Sequence, residues 1–480
     1  MNRYLLVTTG ALLLAVPGCT RTEEAPKRDC ELEAFDLSAC DRSGFASVRA
    51  DGIWRANVTL DGRGSPASMR LLPAEGSLFG VPLTERQVEG DTFFLASDYQ
   101  GSYSPIRLAI AGCQAPSPDQ VKGEFRRCVS GEADLKGTFE AARIKRVEGE
   151  QEKSGVELVS ETALPRGVAM DVFVAGGYAY VTALSDGLFI YDVKDPLQKP
   201  RKVAEITPTR DTWYRSWVKG QTLYISSNNE GLLIYDVSKP EAPKRLGALP
   251  DPSVQGWGLF VDQDRLYLMS PAPRAEVLIY DIQKPTEPSL LSRYFVPESV
   301  ASEGETPVEA VAVNNRLYIG HWRYGLAVVK VTDPGKPEML GHFGYDGATS
   351  RPVAVGPIGD RMIAFEASEG WGSKVRALDV SDPAHITEVG RFEMRPESTV
   401  MGLTLVGSKL YVAHNQDGLR VLDMSNPSTP RLDAYYNTWR ETDPGRGRAF
   451  LDGLSGVRVP GDGYLYATET SRGLLVFQER

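Results

Sequence analysis

From about residue 156 onward the apolar positions fall in short runs, rich in β-branched and aromatic residues, each bounded by Gly, Asn, Asp or Pro. Runs of this length with such borders predict strands joined by tight turns, not helices. One run recurs as a phrase: GLFIYDVKDPLQKP from Gly187, GLLIYDVSKPEAP from Gly231, EVLIYDIQKPTEP from Glu276, GLAVVKVTDPGKP from Gly325, KVRALDVSDPAHI from Lys374, GLRVLDMSNPSTP from Gly418 and GLLVFQER from Gly473. A second run precedes it, as in YAYVTALSDG, TLYISSNNEG, RLYIGHWRYG, KLYVAHNQDG and YLYATETSRG. With a third run upstream (VFVAGG, VAVNN, LTLVGS) and a fourth downstream (KRLGAL, EMLGHF, TEVGRF), each unit predicts four antiparallel strands.

A lone sheet with apolar residues on both faces cannot bury them, so the units must stack face to face around a ring. Seven copies predict a seven-bladed β-propeller over 156–480. The seventh copy is one strand short, and VELVSETA at Val156–Ala163 has the character of the missing strand. Pairing it with Gly473–Phe477 would fasten the ring and remove an open edge. The recurring phrase resembles the LVIVD-repeat proteins of bacteria, a resemblance that covers roughly two thirds of the chain. It implies an exported, often surface-associated propeller, and carries no catalytic motif.

Residues 30–145 lack the phrase but alternate in the manner of strands, as in IWRANVTL, PIRLAIAG and LKGTFEAARI. The fold class read from the whole is therefore all-β: a small disulfide-stapled β domain, a charged linker at 146–155, then the propeller. Cys30, Cys40, Cys113 and Cys128 lie in the first of these, without a histidine or a C-x-x-C beside them, so disulfides are expected and a metal is not. Three connectivities are possible; the local pairs Cys30–Cys40 and Cys113–Cys128 are favoured, each closing a short loop.

Arg3, the apolar run Tyr4–Val16 and the small-residue site Val16-Pro17-Gly18-Cys19 read as a signal peptide over 1–18. Gly-Cys at its end resembles the lipobox of bacterial lipoproteins, which implies lipidation of Cys19 and a polar tether over 19–29. In that family Thr20, not being Asp, implies the outer membrane, facing the periplasm or the cell surface. The net charge of -10, with both signs interspersed, excludes a phosphate-gripping surface and hence nucleic acid as a partner.

The recurring acids Asp192, Asp236, Asp281, Asp379 and Asp423 end strands before Pro-containing turns, where a carboxylate accepts turn N–H groups; they read as structural. Loops from the second to the third strand, and from one blade to the next, emerge on one face. That face would carry the candidate ligand-binding residues Trp213, Tyr214, Arg215, Trp257, Glu309, His321, Trp322, Arg351, Glu366 and His414. Aromatics mixed with Arg and Glu suit recognition of an envelope or surface protein or a glycan, without cofactor or catalytic residue. The alternative is a hydrolase or lactonase using a divalent metal, with His321 and His414 converging on Glu309 or Glu366 in the central funnel. A third reading gives specificity to the N-terminal domain and makes the propeller a spacer.

Overall fold

The computed structural model describes residues 29–72, 75–297 and 299–480; the expected signal peptide, the expected lipidation site Cys19 and nearly all of the expected tether lie outside them. Each recurring phrase forms the third strand of a four-stranded antiparallel blade, from Leu188–Asp192 in blade one to Gly473–Glu479 in blade seven. The blades span 171–206, 213–249, 258–295, 306–343, 350–393, 402–436 and 454–479. The glycine that opens most copies has a steric cause. Gly187 and Gly325 take φ of 94° and 98°, and a Cβ on either would stand 2.1 Å from a carbonyl oxygen at the end of the fourth strand.

The recurring acid caps the next turn. The carboxylates of Asp192, Asp236, Asp281, Asp379 and Asp423 each accept the backbone N–H two residues on, at 2.7–3.2 Å. The tyrosine of the second strand is core: Tyr180, Tyr224, Tyr267, Tyr318 and Tyr466 are all buried. Tyr224 also reaches the next blade, donating its hydroxyl to the Pro285 carbonyl at 2.7 Å.

Burial explains why the ring must close. Seven apolar clusters fill the propeller, and each is shared by two adjacent blades, the last joining Tyr466, Leu474 and Val476 of blade seven to Val172, Val181 and Phe189 of blade one. Val156–Thr162 pairs antiparallel with Gly473–Glu479, supplying the outer strand that blade seven lacks. The preceding segment is also used: Lys153–Ser154 adds a fifth strand to blade six, against Tyr435 and Tyr436.

The N-terminal domain is one curled antiparallel sheet of nine strands, in which Glu132–Arg143 returns to pair with the first strand, Ile53–Leu60. Its edge strands, Val81–Pro82 and Glu85–Glu89, are neighbours in sequence, and Ser97 donates its hydroxyl across the gap to the Val81 carbonyl at 3.2 Å. The concave side is filled by Trp54, Met69, Phe93, Leu95, Ile110 and Phe125. A second, smaller core on the other side is covered by the segment carrying Cys30 and Phe35.

The four cysteines are bridged, but not locally: the pairs are Cys30–Cys128 and Cys40–Cys113. Sheet register forbids the expected Cys113–Cys128 bridge. Cys128 stands opposite Arg107, while Cys113 lies six residues further along that strand, about 20 Å away at the rise of a β-strand. Both bridges instead clamp the leading segment onto the sheet.

Candidate functional site

The candidate face is divided, because the N-terminal domain sits on part of it. The connection from blade six to blade seven, 437–453, is long and rises into the first domain. There the Glu441 carboxylate accepts the Ile53 N–H at 2.9 Å and pairs with Arg143 at 3.5 Å, while Ser68 donates its hydroxyl to the Gly447 carbonyl at 2.7 Å. Arg55, fully buried, lies 5.4 Å from the ring of Trp439 and 5.8 Å from that of Phe450. Removal from water pulls its guanidinium down to about 10. Arg395, before blade six, donates to the Lys145 carbonyl. The N-terminal domain thus rests on the loops of blades five to seven.

His414 lies in this covered region. It is buried, and its Nδ1 meets both Ser398 Oγ, at 3.0 Å, and Asp417 Oδ2, at 3.3 Å. A catalytic triad needs the hydroxyl and the carboxylate on opposite ring nitrogens, so this grouping is not one. Asp417 also pairs with Arg395 at 2.5 Å. Burial opposes its ionisation, but Arg395 and His414 outweigh it and hold the carboxyl well below the usual carboxylate range.

Elsewhere the first strands of the blades line a central channel with a cavity of about 70 Å³. That is room for a few water molecules. Its mouth is crossed by a chain of alternating charges. Arg458 approaches Asp171 at 3.8 Å, Asp171 pairs with Arg215 at 3.2 Å, and Arg215 reaches from blade two to Glu309 on blade four. Glu309 in turn meets Arg351 at 3.4 Å, and Arg351 pairs with Glu369. Burial disfavours the Glu309 carboxylate, yet Arg215 and Arg351 prevail and keep it below the ordinary range. Burial likewise works against Arg215, and Glu309 and Asp171 more than reverse it. These groups hold one another; each is committed to a partner of opposite sign.

Beside the mouth, Tyr214 and Trp257 are both half-buried, with ring centroids 5.9 Å apart and planes tilted by 54°. Trp322 is half-buried on blade four. The other sequence-derived candidates are inside the fold. Trp213 is buried and donates its indole N–H to Asp211 at 2.8 Å. Glu366 is buried between the Tyr345 hydroxyl at 2.8 Å and Arg376 at 3.1 Å, and burial pushes its carboxyl up. His321 is buried with both ring nitrogens unpartnered, and burial takes its imidazole down to about 3.

The structure therefore brings together Arg215, Glu309 and Arg351, and separately Tyr214 with Trp257. It does not bring His321, His414, Glu309 and Glu366 to one point, and among the described residues no group of three or more His, Cys, Asp or Glu is placed to hold a metal ion. Sequence reasoning missed Asp171, Glu369 and Arg458, which complete the charge chain, and the docking role of 437–453. The one available signal was the length of that connection, rich in Arg and Gly.

Comparison with known proteins agrees with this architecture. The family model for the LVIVD repeat matches residues 166–197, 215–248, 375–394 and 399–438. No curated protein matches the chain. Among solved structures, the WD40 β-propeller domain of Doa1 is 11% identical, covering 68% of this chain and 98% of that one, with a TM-score of 0.50. U3-55K is 10% identical over 68% and 98%, and a chain of the mitotic checkpoint complex 11% identical over 71% and 99%, both with a TM-score of 0.50. At such identities the likeness extends to the fold alone. The chain carries LVIVD repeats and is built as a seven-bladed β-propeller.

Proposed function

We propose that this protein is a non-enzymatic binding scaffold of the bacterial envelope, which engages another envelope or surface protein, or a glycan, through the uncovered arc of its top face. The observation that carries the reading is the contrast at the channel mouth. The ionisable groups there are locked into mutual pairs, whereas Tyr214 and Trp257 keep part of their rings at the surface. Rigid aromatic side chains at a partly desolvated rim are what binding surfaces use for area. Lipidation at Cys19 would tether the protein to the outer membrane, with the propeller held away from the bilayer by the tether and the first domain.

Site-specific photo-crosslinking in the native envelope tests this. A photoreactive residue at Trp257 or Trp322 should give a discrete, saturable adduct, and the same residue at Lys239 or Lys284, in turns on the opposite face, should not. Equal labelling of both faces, or none at either, would refute the reading.

A further inference from the structure

We propose a separate carbohydrate subsite in the crevice between the two domains, shaped for one pyranose ring of a β-linked, gluco-configured chain. The crevice has a volume of about 210 Å³ and is lined on the propeller side by Trp371 and Pro396, and on the N-terminal side by Pro116, Gln120, Lys122 and Glu140. It is smaller than the roughly 300–1,000 Å³ of pockets that take drug-sized ligands, which suits a single ring whose chain continues in solvent.

Trp371 is set in place before any ligand arrives. It stands between Gly370 and Gly372, whose φ values of 106° and 74° only glycine adopts without strain, and these turn the chain out and back around the indole. Both flanks are tied to the connection that leads from blade five to blade six: Gly372 N–H donates to the Pro396 carbonyl at 2.8 Å and Gly370 N–H to Thr399 Oγ1 at 2.8 Å. Ser373 continues the anchoring, its hydroxyl accepting the Val400 N–H at 3.1 Å. An aromatic side chain left half-exposed on so fixed a loop loses little entropy on binding.

The opposite wall supplies the polar half. Along the strands Gln120–Val129 and Glu132–Arg143, Val121 and Phe139 turn inward, so Gln120, Lys122, Glu140 and Ala142 turn outward to the crevice, which Ala141 also borders. Lys122 and Glu140 are cross-strand neighbours, 3.7 Å apart, the lysine exposed and the glutamate half-buried. Together Gln120, Lys122 and Glu140 offer N–H donors and carbonyl or carboxylate acceptors. A sugar hydroxyl is at once donor and acceptor, and the axial hydrogens of a gluco-configured ring give it an apolar face for an indole. A phosphate chain would find its one lysine already paired with an acid, and a lipid tail would desolvate all three polar groups without return.

The site is distinct from the arc that carries Tyr214 and Trp257, so either can fail alone. Saturation-transfer difference NMR on the full chain, with cellotriose and with chitotriose as probes, should show transfer centred on one ring. Affinity should fall at least tenfold in Trp371→Ala and in the exposed double variant Gln120→Ala/Lys122→Ala, and be unchanged in Tyr214→Ala/Trp257→Ala. The double variant decides the matter if Trp371→Ala disturbs domain docking. No transfer from either trisaccharide, or transfer that survives the double variant or vanishes with Tyr214 and Trp257, would overturn the assignment.

Discussion

Leu158 lies directly across from Phe477, so a strand that precedes the first blade is hydrogen-bonded to the outermost available edge of the last. Leu474, Leu475, Val476 and Phe477 on that last strand are all 0% exposed. Burying each of them is worth about 1.5–3 kcal/mol, and their sum rivals the whole net stability of about 5–15 kcal/mol of a typical folded domain. Truncation before Gly473 is therefore expected to abolish cooperative folding of the propeller and not merely to fray one blade. Circular dichroism melts and the soluble yield of the truncated chain check this; a sharp transition at the wild-type midpoint would contradict it.

The disulfides make a second prediction. Cys30–Cys128 joins residues 98 apart and Cys40–Cys113 residues 73 apart. Peptide mapping without reduction should recover these two pairs, and neither local pair. Loops of this length make each bridge worth about 2–5 kcal/mol. Cys30 and Cys128 are also buried in the smaller core, so Cys30→Ser/Cys128→Ser places two hydroxyls among Phe35, Phe94 and Ala109. That pair of substitutions should lower the midpoint of the first domain more than the corresponding change at Cys40 and Cys113, the less buried pair. Differential scanning calorimetry of both variants decides.

What could be read beforehand tracks how local the physics is. Asp236 was legible as a turn residue because its partner, the Ser238 N–H, is two residues away and the arrangement recurs in other blades. The ring could be counted because each blade repeats its own pattern. Arg215 and Glu309 were expected in loops between blades but lie in the first strands Trp213–Lys219 and Thr306–Val313, and their pairing was not foreseeable. It spans 94 residues, passes over a whole blade and obeys no period. The seat of the N-terminal domain was hidden for another reason: it buries Arg55, Arg446 and Asp452, residue types that composition assigns to the surface. Cysteine pairing depended on the register of a sheet whose strands could be guessed but not aligned.

The covered half of the face supplies a third prediction. Asp417 is held ionised by Arg395 and His414 with almost no access to water. Asp417→Asn keeps the shape and leaves Arg395 without that partner, so at neutral pH it should cost about 3–5 kcal/mol, the usual penalty for breaking a buried pair. Because the folded-state pKa is depressed, this stability is present above the carboxylate's unfolded value near 3.9 and is lost as pH falls toward the folded one. Denaturant titrations of wild type and variant should therefore lie far apart at pH 7 and converge in acid. A gap that holds constant down to pH 2 would mean that Asp417 contributes by packing alone.

His321 also costs stability as the pH falls, through a buried base and not a buried acid, and does so at higher pH. Its ring is buried with neither nitrogen paired, and burial lowers its pKa from 6.5 to about 3. Between those values the unfolded chain binds a proton that the folded chain refuses, so stability must fall as pH drops below 6.5, by at most about 1.4 kcal/mol per pH unit. Above 6.5 the imidazole is neutral in both states and contributes no slope. His321→Leu fills a similar space without the two unsatisfied nitrogens, and should be at least as stable as wild type at pH 7.5. Its advantage should widen steadily as the pH is taken from 6.5 to 4, while the slope due to Asp417 and other carboxylates stays in both proteins. Chemical denaturation at half-unit pH steps reads the difference directly. Parallel curves would show that His321 is charged, or solvated, in the folded state. A variant less stable at every pH would show that the imidazole makes a hydrogen bond that Leu cannot replace.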